Sequence, residues 1–292
     1  MAGLTGTAQI GDIQNKLIAP VRYTLQQGQV MQNTVQRIAG SQGQDDTLNV
    51  PKFGTATAYG LTEGIPIAQA QQITDSNMTI SATEVGVEVI ISDKLRRTIN
   101  LNMVRASGRI MGEAMSKKKD TDLLGLLDGL DTSLGGAGTT LAFGYIETAV
   151  ARLMAASEPA PKPYFTVLHA YHWKALADDL QALSSSAFAG TTPMESVSEQ
   201  VLKTFTLPGG ELYGTRFLID NNISIDSSDD AKGGTFARDA FILFDWMPLR
   251  EETERDAGLR ADRLIMVSDY GSGEYSGTWG FEQLFDASTP TS

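Results

Sequence analysis

The chain has 292 residues, a formal net charge of −12, a hydrophobic fraction of 41% and no cysteine. The acidic balance argues against a nucleic-acid reader, whose affinity comes from neutralising phosphates. Missing thiols exclude a disulfide framework, a thiolate metal site and a cysteine nucleophile, and they fit synthesis in a reducing cytosol. No apolar run reaches the roughly 18 residues that a spanning helix needs. Residues 1–10 carry no basic stretch leading into an apolar one. Neither a membrane segment nor a secretory signal is therefore expected.

Residues 1–45 are polar and rich in Gln, Gly and Asn. Leu17, Ile18, Val21, Leu25, Val30 and Val35 keep a partial helical spacing that Pro20 and Gly28 interrupt. The expectation is an arm of short helices with no core of its own. Residues 46–91 read as extended ribbon. Thr47–Val50 leads into Pro51-Lys52-Phe53, and Met78, Ile80 and Ala82 alternate with polar residues on the far side. Val85, Val87, Val89 and Ile91 then alternate in the opposite phase. Strand side chains have period two, so the phase change near Thr83-Glu84 predicts a bulge or bend. Gly60–Ile67 and the Gln-rich stretch up to Asp75 predict a long projecting tip.

Ser92-Asp93 is a good helix cap, and a long helix is expected from about Asn102 to Leu130. Val104, Met111, Met115, Leu123, Leu127 and Leu130 fall near whole helical turns. Gly108, Gly112 and Gly125 each cost about 1 kcal/mol relative to Ala, so this helix needs tertiary packing to persist. Residues 134–138, Leu-Gly-Gly-Ala-Gly, read as a linker. Residues 140–235 look α/β: a helix over Tyr145–Ala156, a buried strand at Tyr164–Leu168, a helix over His172–Leu183, a strand at Phe217–Ile219 and a polar loop at Asp226–Gly234. Residues 236–285 return to strands, at Ala240–Phe244 and Leu264–Val267, separated by the charged stretch Arg250–Arg255. Strands, then helices, then strands again argue for an α+β fold with insertions.

Catalytic chemistry finds little footing. His169 and His172 are the only histidines. They sit at a strand-to-helix junction with no H-E-x-x-H pattern and no marked third ligand, so a structural role is preferred. A metal-assisted hydrolase using them stays as a remote alternative. Gly273–Gly277 lacks the spacing of a nucleophile elbow. Gly271, Gly273 and Gly277 read as a turn between strands. Gly108 and Gly112 suggest close helix packing in a soluble protein. Lys117-Lys118-Lys119 reads as a solvated helix face, with Glu113 placed to pair with Lys117. Asp226, Asp229 and Asp230 miss the calcium-loop spacing and read as a surface loop. No catalytic, cofactor or metal residue is assigned.

The informative feature is a mismatch between shape and stability. A two-stranded ribbon is marginal alone in water. A long polar arm has too few apolar groups to offset its ordering entropy. Both are expected to gain order by lying across neighbouring copies, with Phe53, Tyr59, Leu61, Ile65 and Ile67 as inter-subunit contacts. The plainer reading of the projecting loop is a lid or a flexible segment.

The order of elements resembles the major capsid proteins of tailed phages with the Hong Kong 97-type fold. Asp46–Pro51 resembles the run into that family's extended loop, Val89–Leu95 the strand end before its spine helix, and Lys119–Leu124 the end of that helix. Val167–Trp173 resembles an axial-domain strand with its following helix, and Ala237–Ala240, Glu254–Asp256 and Asp269–Glu274 resemble the closing strands. The resemblance implies an arm (1–45), an extended β-hairpin loop (46–83), a peripheral domain with the spine helix (84–138), an axial α/β domain (139–235), and return strands with the C-terminus (236–292). It implies a non-enzymatic subunit that assembles into pentamers and hexamers of an icosahedral head around double-stranded DNA. DNA would be enclosed without sequence-specific binding. A separate scaffolding protein, or none, is implied, with portal and decoration proteins as candidate partners, and the subunit would sit in the virion after a period in the host cytoplasm. An encapsulin-like nanocompartment shell is the alternative within the same fold. Some family members cross-link an extended-loop lysine to a neighbour's asparagine. Here the loop has only Lys52, at its base, with no lysine from Phe53 to Ser92, so noncovalent stabilisation is expected.

Overall fold

The computed structural model describes residues 29–40, 45–60, 63, 71–98, 103–186 and 210–290. A 3₁₀ turn at Met31–Asn33 leads into strand β1 (Gln36–Ala39). Strands β2 (Thr47–Phe53) and β3 (Asp75–Ser81) pair antiparallel, with each other alone. Ala82 separates β3 from β4 (Thr83–Ser92), next to the point where the apolar alternation changes phase. The Ala82 amide donates to the Asp46 carbonyl and fixes the bend. Ser92 caps helix α1 (Asp93–Thr98), its Oγ accepting from the Leu95 amide at 3.3 Å. Helix α2 (Met103–Gly125) passes into a 3₁₀ turn at Leu126–Gly129. Then come β5 (Ser133–Gly135), α3 (Phe143–Ala155), β6 (Tyr164–Leu168), α4 (Ala170–Ser186), β7 (Glu211–Leu212) and β8 (Thr215–Ile219). The chain closes with β9 (Asp230–Ala237), β10 (Phe241–Asp256), β11 (Ala261–Glu274) and β12 (Gly280–Asp286). No helix among the described residues is long and apolar enough to cross a membrane.

One sheet has four strands in the order β1-β10-β11-β4. Helix α2 lies along it because its apolar residues fall on one stripe. Met111 packs with Ile91, Leu95, Leu264 and Met266. Leu123 and Leu127, about three to four turns later, enter a second cluster with Phe165, Val167, Phe236 and Phe241. Burying side chains of this size contributes about 1.5–3 kcal/mol each, which offsets the helix's glycines. The β10–β11 ribbon is irregular between Asp245 and Arg250, where Pro248 has no amide to give the ladder.

The second sheet has six strands in the order β5-β12-β9-β6-β8-β7. Its centre, β6, is buried along its whole length. Phe165 and Val167 face the end of α2. Tyr164 faces α3 and Leu168 faces Leu176 of α4. Thr166 is also fully buried, and a hydroxyl row satisfies it: its Oγ1 lies 3.0 Å from that of Thr215 and 2.8 Å from that of Thr235, which accepts from Gln283 Nε2 at 2.9 Å.

Four sequence expectations need correction. The stretch at 134–138 is not a plain linker. Leu134 is a buried residue of β5, and Gly135 has φ +89 with a virtual Cβ 2.4 Å from Phe285, so only glycine fits. The polar loop ends at Asp230, and Lys232–Phe236 belongs to β9, where Gly233 and Gly234 let the Val167 carbonyl and Leu127 approach. The charged stretch Arg250–Arg255 is exposed strand within β10. The arm has a core share after all: Met31 and Val35 are buried in the cluster joining the two sheets, while residues 1–28 lie outside the described residues.

Candidate functional site

The β2–β3 hairpin is the element with least of its own to hold it. Its base packs one face on the four-stranded sheet, with Ile80 against Ile242 and Phe244, flanked by Leu48, Val50 and Met78. Gly271 and Gly273 make that crossing possible. They lie inside β11 rather than in a turn, as the sequence had suggested. A Cβ at Gly271 would stand 2.5 Å from the Ser81 carbonyl, and one at Gly273 would stand 2.4 Å from Met78 Cε.

Lys52 is the second anchor of the base. Its Nζ lies 3.0 Å from Glu158 Oε2 and 3.3 Å from Ser276 Oγ. It also sits over the rings of Trp279 (5.6 Å) and Tyr275 (6.0 Å). The lysine side chain is therefore committed to its own subunit.

Beyond the base the apolar residues turn to solvent. Phe53 is 67% exposed, Tyr59 52% and Ile73 67%. Phe53 and Tyr59 were expected contact residues; Leu61, Ile65 and Ile67 lie outside the described residues. Ile73 was not singled out by sequence, because the Gln-rich stretch around it shows no alternation. The hairpin thus carries three large apolar side chains in solvent.

The arm is seated by charge. Asp120, fully buried on α2, accepts from the amides of Val30 (2.8 Å) and Met31 (2.9 Å) with Oδ1, and from Asn222 Nδ2 (2.9 Å) with Oδ2. Asp245 on β10 is held by Lys119 at 2.7 Å and by Arg37 on β1 at 2.8 Å. Burial opposes its ionisation, but those two donors outweigh it and hold its carboxyl below the usual range. Lys119 lies 4.8 Å from the Tyr270 ring centroid, and Tyr270 donates to Asp122 at 2.7 Å. Burial and that contact push the Tyr270 phenol up.

The lysine run is thus not one solvated face. Lys118 pairs with Asp122, Lys119 points inward, and Glu113 pairs with Arg109 rather than Lys117. The G-x-x-x-G reading also changes. A Cβ at Gly108 would meet only Met266 at 3.7 Å, and one at Gly112 would meet open space, so neither glycine serves close packing within the subunit.

The histidines are spent on structure. His172 is fully buried and donates from Nε2 to the Phe285 carbonyl at 3.1 Å; burial pushes its pKa down. His169 Nδ1 accepts from the Tyr171 amide at 3.3 Å, and its pKa is also lowered by burial. Asp226 Oδ1 closes its own loop by accepting from Ser228 (2.7 Å) and Asp230 (3.0 Å). Among the described residues no cluster of three or more His, Asp or Glu side chains could hold a metal, so the hydrolase reading gains no support.

No protein-family profile and no curated protein matches the chain. Solved structures do match over nearly its whole length. The cyanophage Pam1 capsid asymmetric unit shares 14% identity at a TM-score of 0.71, covering 99% of this chain and 100% of that one. A Mycobacterium phage Che8 structure shares 19% identity at 0.68, covering 94% and 99%. The capsid of a native GTA particle computed with C5 symmetry shares 11% at 0.61, covering 98% and 100%. At such identities the likeness is one of fold. It agrees with the resemblance read from the sequence, from arm root to final strand.

Proposed function

We infer that this chain, which has the Hong Kong 97-type fold, is a major capsid subunit. It assembles with copies of itself into pentamers and hexamers of an icosahedral head enclosing double-stranded DNA, and it resides in the virion. The carrying observation is the full-length likeness in fold to phage and GTA capsid subunits. The exposed apolar hairpin supports it, since one chain that closes a shell needs large repeated contacts with itself. The role is structural, not enzymatic.

The division into arm, extended loop, peripheral domain, axial domain and return strands belongs to the same proposal, with boundaries at 45, 83, 138 and 235. β5 and β12 lie outside 139–235 yet pair into the axial sheet. Phe53, Tyr59, Leu61, Ile65 and Ile67 are its contact residues with neighbouring subunits. The net charge of −12 suits DNA held by confinement and not by affinity. Scaffolding, portal and decoration proteins are its expected partners, and the host cytoplasm is where the subunit waits before assembly.

Negative-stain microscopy with light scattering of the expressed protein tests this. Closed shells or ring-shaped capsomers are expected. A monodisperse monomer at every concentration, even with the accompanying phage proteins added, would overturn it. Particles holding a cargo enzyme and no DNA would replace it with the nanocompartment reading.

A further inference from the structure

We propose that Asp120 and Asp220 form a proton-operated clasp: one shared proton ties the loop after β8 to helix α2 and closes the seat of the arm root, and its loss parts them. The inference concerns the joint between the six-stranded sheet and the spine helix, and it holds whether or not shells form.

The geometry is of two carboxyls with nowhere to put a second charge. Asp120 is 0% exposed and Asp220 is 1% exposed. Asp120 already accepts from two amides of the arm root and from the Asn222 side chain. Those three donors leave Asp120 acting as an acceptor through both of its oxygens. Asp220 Oδ1 accepts from the Asn222 amide at 2.8 Å, and the Asp220 amide donates to the Leu168 carbonyl at 2.9 Å, which holds the side chain inward. Its Oδ2 is buried and accepts from no donor. Asn222 bridges the two carboxyls, its amide donating to Asp220 and its Nδ2 to Asp120, so a proton on the orphaned oxygen is held beside the Asp120 acceptor. Without it two anions face each other out of water.

Among the described residues the surroundings offer no counter-charge. The arm root supplies no ionisable side chain over residues 30–34. The end of β8 over 217–219 and the loop over 221–224 supply none either. On α2, Lys119 is committed to Asp245 and Lys118 to Asp122, and Lys117 is exposed. From β6 the next ionisable residue is His169, whose pKa is lowered by burial. Burial first, and hydrogen bonding to Asp120 second, push the Asp220 carboxyl up to about 8. A carboxyl raised on folding stabilises the folded state fully only below its ordinary value of 3.8. That stabilisation drains away as pH rises and is gone once pH passes about 8.

The test is amide hydrogen exchange on the full chain between pH 6.5 and 9.5, read as protection factors at Val30, Met31 and Asp220. The expected result is at least a tenfold loss of protection between pH 6.5 and about 8, levelling off above it. Asp220→Asn, whose amide donates in place of the proton, should keep full protection across the range. An unchanged step in Asp220→Asn, or no step in the unmodified chain, would overturn the clasp. Should Asp220→Asn fail to fold, infrared titration of the unmodified chain decides. A protonated carboxyl band surviving above pH 7 supports the clasp, and loss of all such bands by pH 6 refutes it.

Discussion

Strand β6 is buried from Tyr164 through Leu168, whereas in the β2–β3 hairpin only Ile80 reaches that depth. The two regions are both β-structure in one chain, yet they solve burial differently. The centre of the six-stranded sheet is satisfied within its own subunit, down to the hydroxyl row through Thr166. The hairpin is held by its base and leaves Phe53, Tyr59 and Ile73 in solvent. A lone hairpin is marginal in water. Under the proposed function, what the hairpin lacks is supplied by a second copy of the chain.

Substitutions graded by depth should separate the two regions. Phe236→Ala removes a fully buried ring between both sheets. It should cost about 3–5 kcal/mol, read by urea unfolding of the dispersed subunit. Gly271→Val drives a side chain into the Ser81 carbonyl and should cost about 1–3 kcal/mol while lifting the hairpin base off β11, visible as a lower Tm and faster exchange over 75–81. Lys52→Met breaks a partly exposed pair with Glu158 and should cost about 1 kcal/mol or less. Its sharper readout is covalent: particles of the unmodified protein should run as monomers on denaturing gels, since this lysine is turned to its own subunit. Joint Phe53→Ala and Tyr59→Ala should leave monomer stability within about 0.5 kcal/mol. The same change should sharply reduce particle yield in light scattering. A double variant that is destabilised but assembles normally would reverse the comparison.

The sequence made one region far more legible than the other. Tyr164–Leu168 is apolar but for Thr166 and lies between turn residues, and α3 and α4 carry helical periodicity, so the strand was read to the residue and the helices to within about three residues of their ends. The bend between β3 and β4 was legible because period two records a change of face. β9 was not, since Asp230–Ala237 spends two of its positions on glycines whose purpose is to let Val167 and Leu127 approach. The Asp120 seat was invisible for a related reason. Its acceptors and donors lie about ninety to a hundred residues apart in the chain, and local pattern carries no record of such a pairing. Lys119 and Asp120 read as surface charges because charge on a helix usually is solvated. Of the hairpin's exposed apolar residues, Phe53 and Tyr59 could be named from sequence and Ile73 could not.

The most direct test is hydrogen exchange of the hairpin, residues 47–60 and 71–81, in dispersed subunits and in assembled particles. The account predicts that protection rises at least tenfold on assembly around Phe53, Tyr59 and Ile73, while β6 changes little. Equal exchange of the hairpin in both states would contradict it.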